Sequence, residues 1–393
     1  MKIAVLGGAG TIGSGVIKEL VAEKEIERVY ACEIKARLDK AEELAKELGP
    51  KVSATTVDVR DTDNLAKVIK GVDVVINCAG PFYKLAVPVI KTAAKIGVNY
   101  VDIMDDPDSM IMVLDDTELF RAAKDSGTTI IVGLGSTPGL SNMLAKYGAS
   151  KLDTVDRIDV SWVFTSVSGT GAGGAVSEHM LHVMNKGWTF RDGKLVETEP
   201  LVDGREIQDF VELGKLEVYD IGHPEPIMLP RYIKGVKNVT CKTGMLPYEM
   251  FHMYQVFSRL GFFGLTQEEL KGAAVSPREF VKQHLANVPM ETMVKLFKLD
   301  ELAPVFELRV AVAGQKDSGK TTYIYGFADV YHESETYIPP SLAALLIGRK
   351  EIKGRGVFAP EGCIEPESFL RKVVEKGVPL YEAVHGSRAL FKP

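Results

Sequence analysis

The stretch "MKIAVLGGAGTIGSGV", residues 1–16, decides how the first part of the chain folds. Lys2–Leu6 is an apolar run that stops at glycines, and Gly8, Gly10 and Gly13 then spell G-x-G-x-x-G. Beyond them Ile12, Val16, Leu20 and Val21 recur at helical spacing. A buried strand, a glycine turn and a helix in immediate succession make the phosphate-binding start of a βαβ unit. Gly8 permits the tight turn, Gly10 lets the backbone approach a pyrophosphate, and Gly13 allows close packing of helix on strand. The helix start, at Thr11 and Ile12, offers N–H groups and the positive dipole end to an anion.

Working outward, the same rhythm repeats. "RVYACE", "VSATTVDV", "VDVVINCAG", "NYVDIM" and "TTIIVGLG" read as strands, separated by helical segments such as "ARLDKAEELAKELG" and "AVPVIKTAAKIG". Strands alternating with helices predict an α/β fold, a Rossmann doubly wound parallel sheet over residues 1–135. Ligands of such sheets sit at the carboxyl ends of the strands. Glu33 closes the second strand, where a carboxylate accepts from ribose hydroxyls and repels a 2′-phosphate. NAD is therefore favoured over NADP, with Lys35 and Arg37 as the groups that would hold a 2′-phosphate. Asp58 or the N–H of Val59 is placed to reach adenine. "NCAGPF", residues 77–82, brings Ala79 and the rigid Gly80-Pro81 turn to a strand end, with Phe82 and Tyr83 over the nicotinamide ribose. "YVDIMDDPD" supplies Asp102, Asp105, Asp106 and Asp108, of which Asp102 is expected to point inward towards a cationic substrate.

After Gly139 the pattern changes to long strands without regular crossover helices. This predicts a second α+β domain, on a mixed, largely antiparallel sheet, over residues 136–340. Residues 341–393 form a C-terminal segment, including the amphipathic "EPESFLRKVVEKGV", that returns to the first domain. "TQEELKG" and "SPREFVKQHLANV" read as helices, the latter capped by Ser276. "GQKDSGKTT", residues 314–322, fits the G-x-x-x-x-G-K-[ST] phosphate loop by letter. That loop needs a helix after it, yet Tyr323, Tyr325 and Phe327 alternate with Ile324, Gly326 and Ala328, so the stretch is expected to be a hairpin turn.

Other candidates belong to substrate recognition. Pro138 and Gly139 suggest a rigid turn at the domain boundary, and Asn142 an amide for nicotinamide or substrate. The glycine loop "GTGAGGA", with Gly169, Gly171 and Gly174, lacks a following βαβ unit; Gly171 is read as letting backbone approach substrate. "GHPEPIMLPR", residues 222–231, holds His223 and Glu225, and Arg231 suits a carboxylate clamp. His179 and His182 share a helical face, but without a spaced third ligand they read as structural.

Hydrophobic residues make up 46% and charged residues 25% of the 393 residues, as in ordinary globular proteins. A net charge of −6 spread along the chain argues against a nucleic-acid or membrane surface. The cysteines, Cys32, Cys78, Cys241 and Cys363, are widely spaced and read as reduced thiols of a cytoplasmic protein, with no metal expected on them.

Together "AVLGGAGTIGSGV", "NCAGPF", "NYVDI", "GLGSTPGLSNMLA", "GHPEPIMLPRYI" and "GVFAPEGCIEPESF" resemble the saccharopine dehydrogenase-like family over essentially the whole chain. Within it the likeness is to the NAD-linked lysine 6-dehydrogenase branch. The resemblance implies a Rossmann domain, a mixed-sheet domain supporting a homodimer or higher homo-oligomer, and a small amino-acid substrate. The expected activity is oxidation of a basic amino acid at a CH–NH group, lysine at its ε-carbon. Asp102 is the first choice for the base that removes the ammonium proton, and His223 the second. Two alternatives remain: a saccharopine- or carboxynorspermidine-type reductase condensing an amine with an oxoacid or aldehyde, and a cofactor-binding regulator without chemistry.

Overall fold

A computed structural model describes residues 1–165, 174–270, 273–330, 333–384 and 387–391. The chain forms two compact units: Met1–Tyr147 with Glu333–Val378, and Gly148–His332 with Pro379–Phe391. These breaks differ from the boundaries read in sequence. Position 340/341 falls inside the helix Ser334–Gly348, whose Ile338, Leu342, Leu345 and Leu346 are buried, so the break precedes that helix.

In the first unit the strands are β1 (Lys2–Leu6), β2 (Arg28–Glu33), β3 (Val52–Thr56), β4 (Val74–Asn77), β5 (Asn99–Asp102) and β6 (Thr129–Ile131). A late strand, β17 (Gly356–Phe358), joins them, giving the order β17-β6-β5-β4-β1-β2-β3 with every pair parallel. Val74, Val75 and Ile76 of β4, like Ile3–Leu6 of β1, are fully buried, which is why these runs carry no polar alternation. The chain runs outward from β1 to β3 and then returns to β4 on the other side. The carboxyl ends of β1 and β4 therefore form the switch point where a doubly wound sheet takes its ligand. Asp61, Asp116 and Glu365 cap helices by accepting N–H bonds. The helix Pro366–Glu375 buries Phe369, Leu370 and Val373, and Lys376 beyond it pairs with Glu19 and Glu23.

The second unit contains β7 (Thr154–Thr165), β8 (Gly187–Arg191), β9 (Lys194–Thr198), β10 (Glu206–Phe210), β11 (Gly214–Asp220), β12 (Asn238–Leu246), β15 (Phe306–Lys316), β16 (Gly319–Asp329), β18 (Tyr381–Val384) and β19 (Ser387–Leu390). Their order is β10-β11-β12-β7-β15-β16-β18-β19, with β8 and β9 alongside β12. Only β12–β7 is parallel among these pairs, so the sheet is mixed and largely antiparallel. The expected helix at "TQEELKG" is instead β13 (Glu268–Leu270), antiparallel to β14 (Ala273–Val275). A segment that short cannot sustain helix by itself. Ser276 does cap the helix Pro277–Asn287, accepting from the N–H of Glu279 at 3.2 Å.

The glycine-lysine stretch is a hairpin. β15 and β16 pair from Phe306↔Asp329 to Lys316↔Gly319, and the turn residues Asp317 and Ser318 have φ of 50° and 65°. Positive φ at both central positions is the hairpin turn whose twist matches its strands. Gly314 has a packing reason: a Cβ there would lie 1.8 Å from the Thr154 carbonyl oxygen. No helix follows to present N–H groups to a phosphate.

Candidate active site

The glycine loop after β1 is built for close approach. A Cβ on Gly13 would lie 2.1 Å from the Gly7 carbonyl oxygen, and one on Gly8 would lie 2.9 Å from Ala31 Cα. Loop, helix and β2 therefore interlock only without side chains at these points. Gly10 is the N-cap of the helix Thr11–Val21, and no side chain caps that helix or places an acid in its first turn. Its first N–H groups, at Thr11 and Ile12, are left for an anion. The residues present fit the pyrophosphate of a dinucleotide.

Glu33, at the end of β2, is buried, and the N–H of Ala9 donates to its Oε1 at 3.2 Å. Arg37, one turn further on, donates through Nη2 to the Ala9 carbonyl oxygen at 3.0 Å. An acid and a base thus hold the N–H and the C=O of one loop residue, Ala9, where the adenosine ribose of a dinucleotide binds. Asp58 lies beyond the end of β3 rather than on it. Arg60 grips its carboxylate through Nε and Nη2, which with the Arg60 N–H holds the carboxyl down to about 2. Val59 is buried beside it.

A hydrogen-bonded chain joins the ends of β4, β5 and β6. Asn77 Oδ1 accepts from the N–H of Ala79 at 3.0 Å, and Asn77 Nδ2 donates to Tyr100 Oη at 2.9 Å. Tyr100 donates to Asp102 Oδ2 at 2.9 Å. Asp102 Oδ1 accepts from the N–H groups of Gly133 and Met104 at 2.7 and 3.1 Å. Asn77, Tyr100 and Asp102 are all fully buried. Burial pushes the Asp102 carboxyl up to about 7, against the pull of these donors. Asp102 does point inward, but both oxygens are occupied, so this arrangement makes it a brace for the strand ends. Beyond it the Gly80–Pro81 peptide is cis, and Pro81 is the N-cap of the helix Phe82–Ile96. Phe82 and Tyr83 open that helix, half-buried.

The turn after β6 is a second built element. Gly139 has φ of 122°, and a Cβ there would lie 2.4 Å from the Gly135 carbonyl oxygen. Asn142 is fully buried: its Oδ1 accepts from the Gly139 N–H at 3.3 Å and from Ser141 Oγ at 3.0 Å. Its Nδ2 donates to Glu361 Oε1 at 2.9 Å, so the amide holds the turn to the segment after β17. On the same turn Ser136 Oγ is buried without a hydrogen-bond partner among the described residues. Sequence reading missed Asn77, Tyr100, Ser136 and Glu361; the position of Asn77 at the first residue of "NCAGPF" was the available signal. Of the acidic run, Asp106 is spent as a cap, accepting from the Ser109 N–H at 2.7 Å.

In the second unit His223 is buried, with Nδ1 2.6 Å from Glu225 Oε2. Trp162 and His179 face its ring at centroid distances of 5.8 Å each. Burial, with Glu225 adding to it, pushes the Cys241 thiol well above its usual value, and burial pushes that of Cys32 up to about 12. Arg231 is exposed at the end of the helix Glu225–Tyr232, its Nε donating to the Ile227 carbonyl oxygen at 3.1 Å. Gly171 lies outside the described residues.

Residues 3–131 match the family described as Saccharopine dehydrogenase NADP binding domain. Carboxyaminopropylagmatine dehydrogenase of Synechocystis sp. is 24% identical over 408 residues, covering 98% of this chain and 98% of that protein. (S)-8-amino-7-oxononanoate synthase BioU of Haloferax mediterranei is 31% identical over 125 residues, covering 31% of this chain and 33% of that protein. Among solved structures, apo saccharopine dehydrogenase (L-Glu forming) of Saccharomyces cerevisiae shares the fold: TM-score 0.68, 16% identity, covering 98% of this chain and 99% of that one. The full-length relative bears the name of a different activity from the expected lysine 6-dehydrogenase branch. "NCAGPF" and the turn around Gly139 build the strand ends, which do not report the amine used. By these matches residues 3–131 are similar to the NADP-binding domain of saccharopine dehydrogenases, and the chain as a whole is similar in fold to a saccharopine dehydrogenase.

Proposed function

We propose that the protein is an oxidoreductase of the amine-condensing type, reducing the C=N bond formed between a primary amine and a carbonyl compound that carries a carboxylate. The observation that carries this reading is the end-to-end match with a carboxyaminopropylagmatine dehydrogenase, whose name specifies a carboxylated aminopropyl group on an amine. Amine and carbonyl lose water to give an imine. Addition of one hydride and one proton then gives the secondary amine. Bound NAD(P)H supplies the hydride.

The chain's own residues hold and orient. Gly8, Gly10 and the uncapped helix start at Thr11 and Ile12 take the pyrophosphate. The Asn77–Tyr100–Asp102 chain fixes Ala79 and Gly133, hence the "NCAGPF" turn and the Gly133–Gly139 turn, in one geometry. Fixed strand ends reduce the reorganisation needed when hydride is transferred. Glu33 favours NAD over NADP, because a 2′-phosphate would add negative charge beside a buried carboxylate. The test is to incubate the enzyme with a reduced cofactor, a panel of primary amines including agmatine, diamines and lysine, and α-oxoacids or amino-acid aldehydes. Cofactor oxidation should require both organic partners. Oxidation with neither or either alone, or reduction of NAD by lysine alone, would sink the proposal.

A further inference from the structure

The second unit holds a cluster that the redox reading does not use. His223, Glu225 and Cys241 are all buried, at 1%, 0% and 0% exposure, and one ligand atom from each lies within 4.8 Å of the others. We infer that they form a site for a divalent, borderline-soft cation, zinc by its donor set of imidazole nitrogen, carboxylate oxygen and thiolate sulfur. A tetrahedral zinc with ligands at about 2.0–2.3 Å sets them roughly 3.5 Å apart. That spacing lies between the 2.6 Å of His223 Nδ1 to Glu225 Oε2 and the 4.8 Å outer limit of the cluster. Each side chain needs to move by only about an ångström.

The backbone supports a fixed site. His223 and Glu225 flank Pro224 at the start of the helix Glu225–Tyr232, where prolines restrict the chain before any ion arrives. Cys241 comes from β12, in register with Val160 of β7. Charge favours the ion as well. A neutral imidazole, a carboxylate and a thiolate sum with a dication to zero, and buried charges persist when paired or bound to metal. On loading, the thiol proton passes to solvent and His223 binds as neutral imidazole; no electron transfer is involved. His179 stands edge-on to the His223 ring at 5.8 Å, outside the three-residue cluster. Sequence spacing hid the set, since Cys241 has no neighbouring cysteine or histidine.

The experiment is metal analysis of the whole protein, expressed with zinc and dialysed against metal-free buffer, followed by cobalt exchange. The wild type should retain about one zinc per chain, and its cobalt form should show a thiolate-to-cobalt charge-transfer band. Cys241→Ser should lose that band, and His223→Ala and Glu225→Gln should lower zinc content to background. A wild type that retains no zinc and gives no cobalt band overturns the inference and leaves a hydrogen-bonded triad. Zinc retained equally in all three variants overturns it too. Because the wild-type measurement stands alone, a variant that fails to fold does not obscure the answer.

Discussion

Replacing Asp102 by asparagine tests the strand-end brace quantitatively. The carboxyl is fully buried, and burial raises it from an ordinary 3.8 to about 7, outweighing the N–H bonds from Gly133 and Met104 and the Tyr100 hydroxyl bond. The folded state therefore keeps its proton about three pH units above the unfolded chain, worth ~4 kcal/mol at 1.36 kcal/mol per unit. The sign follows from proton counting. Below pH 4 both states are protonated and the full stability is present. Between about 4 and 7 the unfolded chain ionises first, so stability falls as pH rises, by ~1.4 kcal/mol per unit. Above 7 the loss is complete. Asp102→Asn removes that titration while keeping the shape. Its amide still accepts from two N–H groups, but the Tyr100 contact must rearrange, a pH-independent cost of ~1 kcal/mol. Denaturant unfolding of both proteins from pH 4 to 8 at constant ionic strength cancels the titrations they share. The difference should move by up to ~4 kcal/mol in favour of asparagine across that range. A flat difference, or one moving the other way as for a carboxylate held ionised by its donors, would refute the reasoning.

Gly13→Ala should raise the dissociation constant for NAD(P)H about 100-fold, the equivalent of ~3 kcal/mol, because its Cβ meets the Gly7 oxygen at 2.1 Å; cofactor fluorescence titration reads this out. Lys320→Ala should leave the same titration unchanged, since Lys320 is a strand residue of a hairpin; a marked weakening would restore the phosphate-loop reading. Glu33→Gln should shift the NADP-to-NAD affinity ratio about tenfold towards NADP, and an unchanged ratio would remove Glu33 from cofactor choice. Glu307→Ala should cost ~3 kcal/mol in denaturant unfolding, because its buried carboxylate accepts from Val211, Glu212 and Leu213 N–H groups at 2.5, 3.0 and 3.2 Å.

What was legible in the sequence was whatever local periodicity or steric need dictates. The Gly8–Gly13 turn, the buried strands β1 and β4, and the hairpin at Asp317–Ser318 each rest on neighbouring residues, and each stands in the structure. What was hidden rests on distance along the chain. Asn142 meets Glu361 across 219 positions, and neither residue announces the other. Asp102 was correctly read as inward-facing, but burial with three donors could not be seen without β6 beside it. His223 looked like a candidate base because a histidine followed by Pro224 stands out; its burial against Glu225 and near Cys241 depends on β12. The amine was not legible, because the motifs that carry the resemblance build the strand ends.

The central claim is that the chain joins an amine to a carbonyl acid by reduction. Mass spectrometry of a reaction containing reduced cofactor, a primary amine and a carbonyl acid tests it most directly. The account predicts a single new secondary amine, equal in mass to the two partners minus water plus two hydrogens, formed with one equivalent of cofactor oxidised. Release of ammonia from lysine and NAD alone, with no coupled product from any pair, would contradict it.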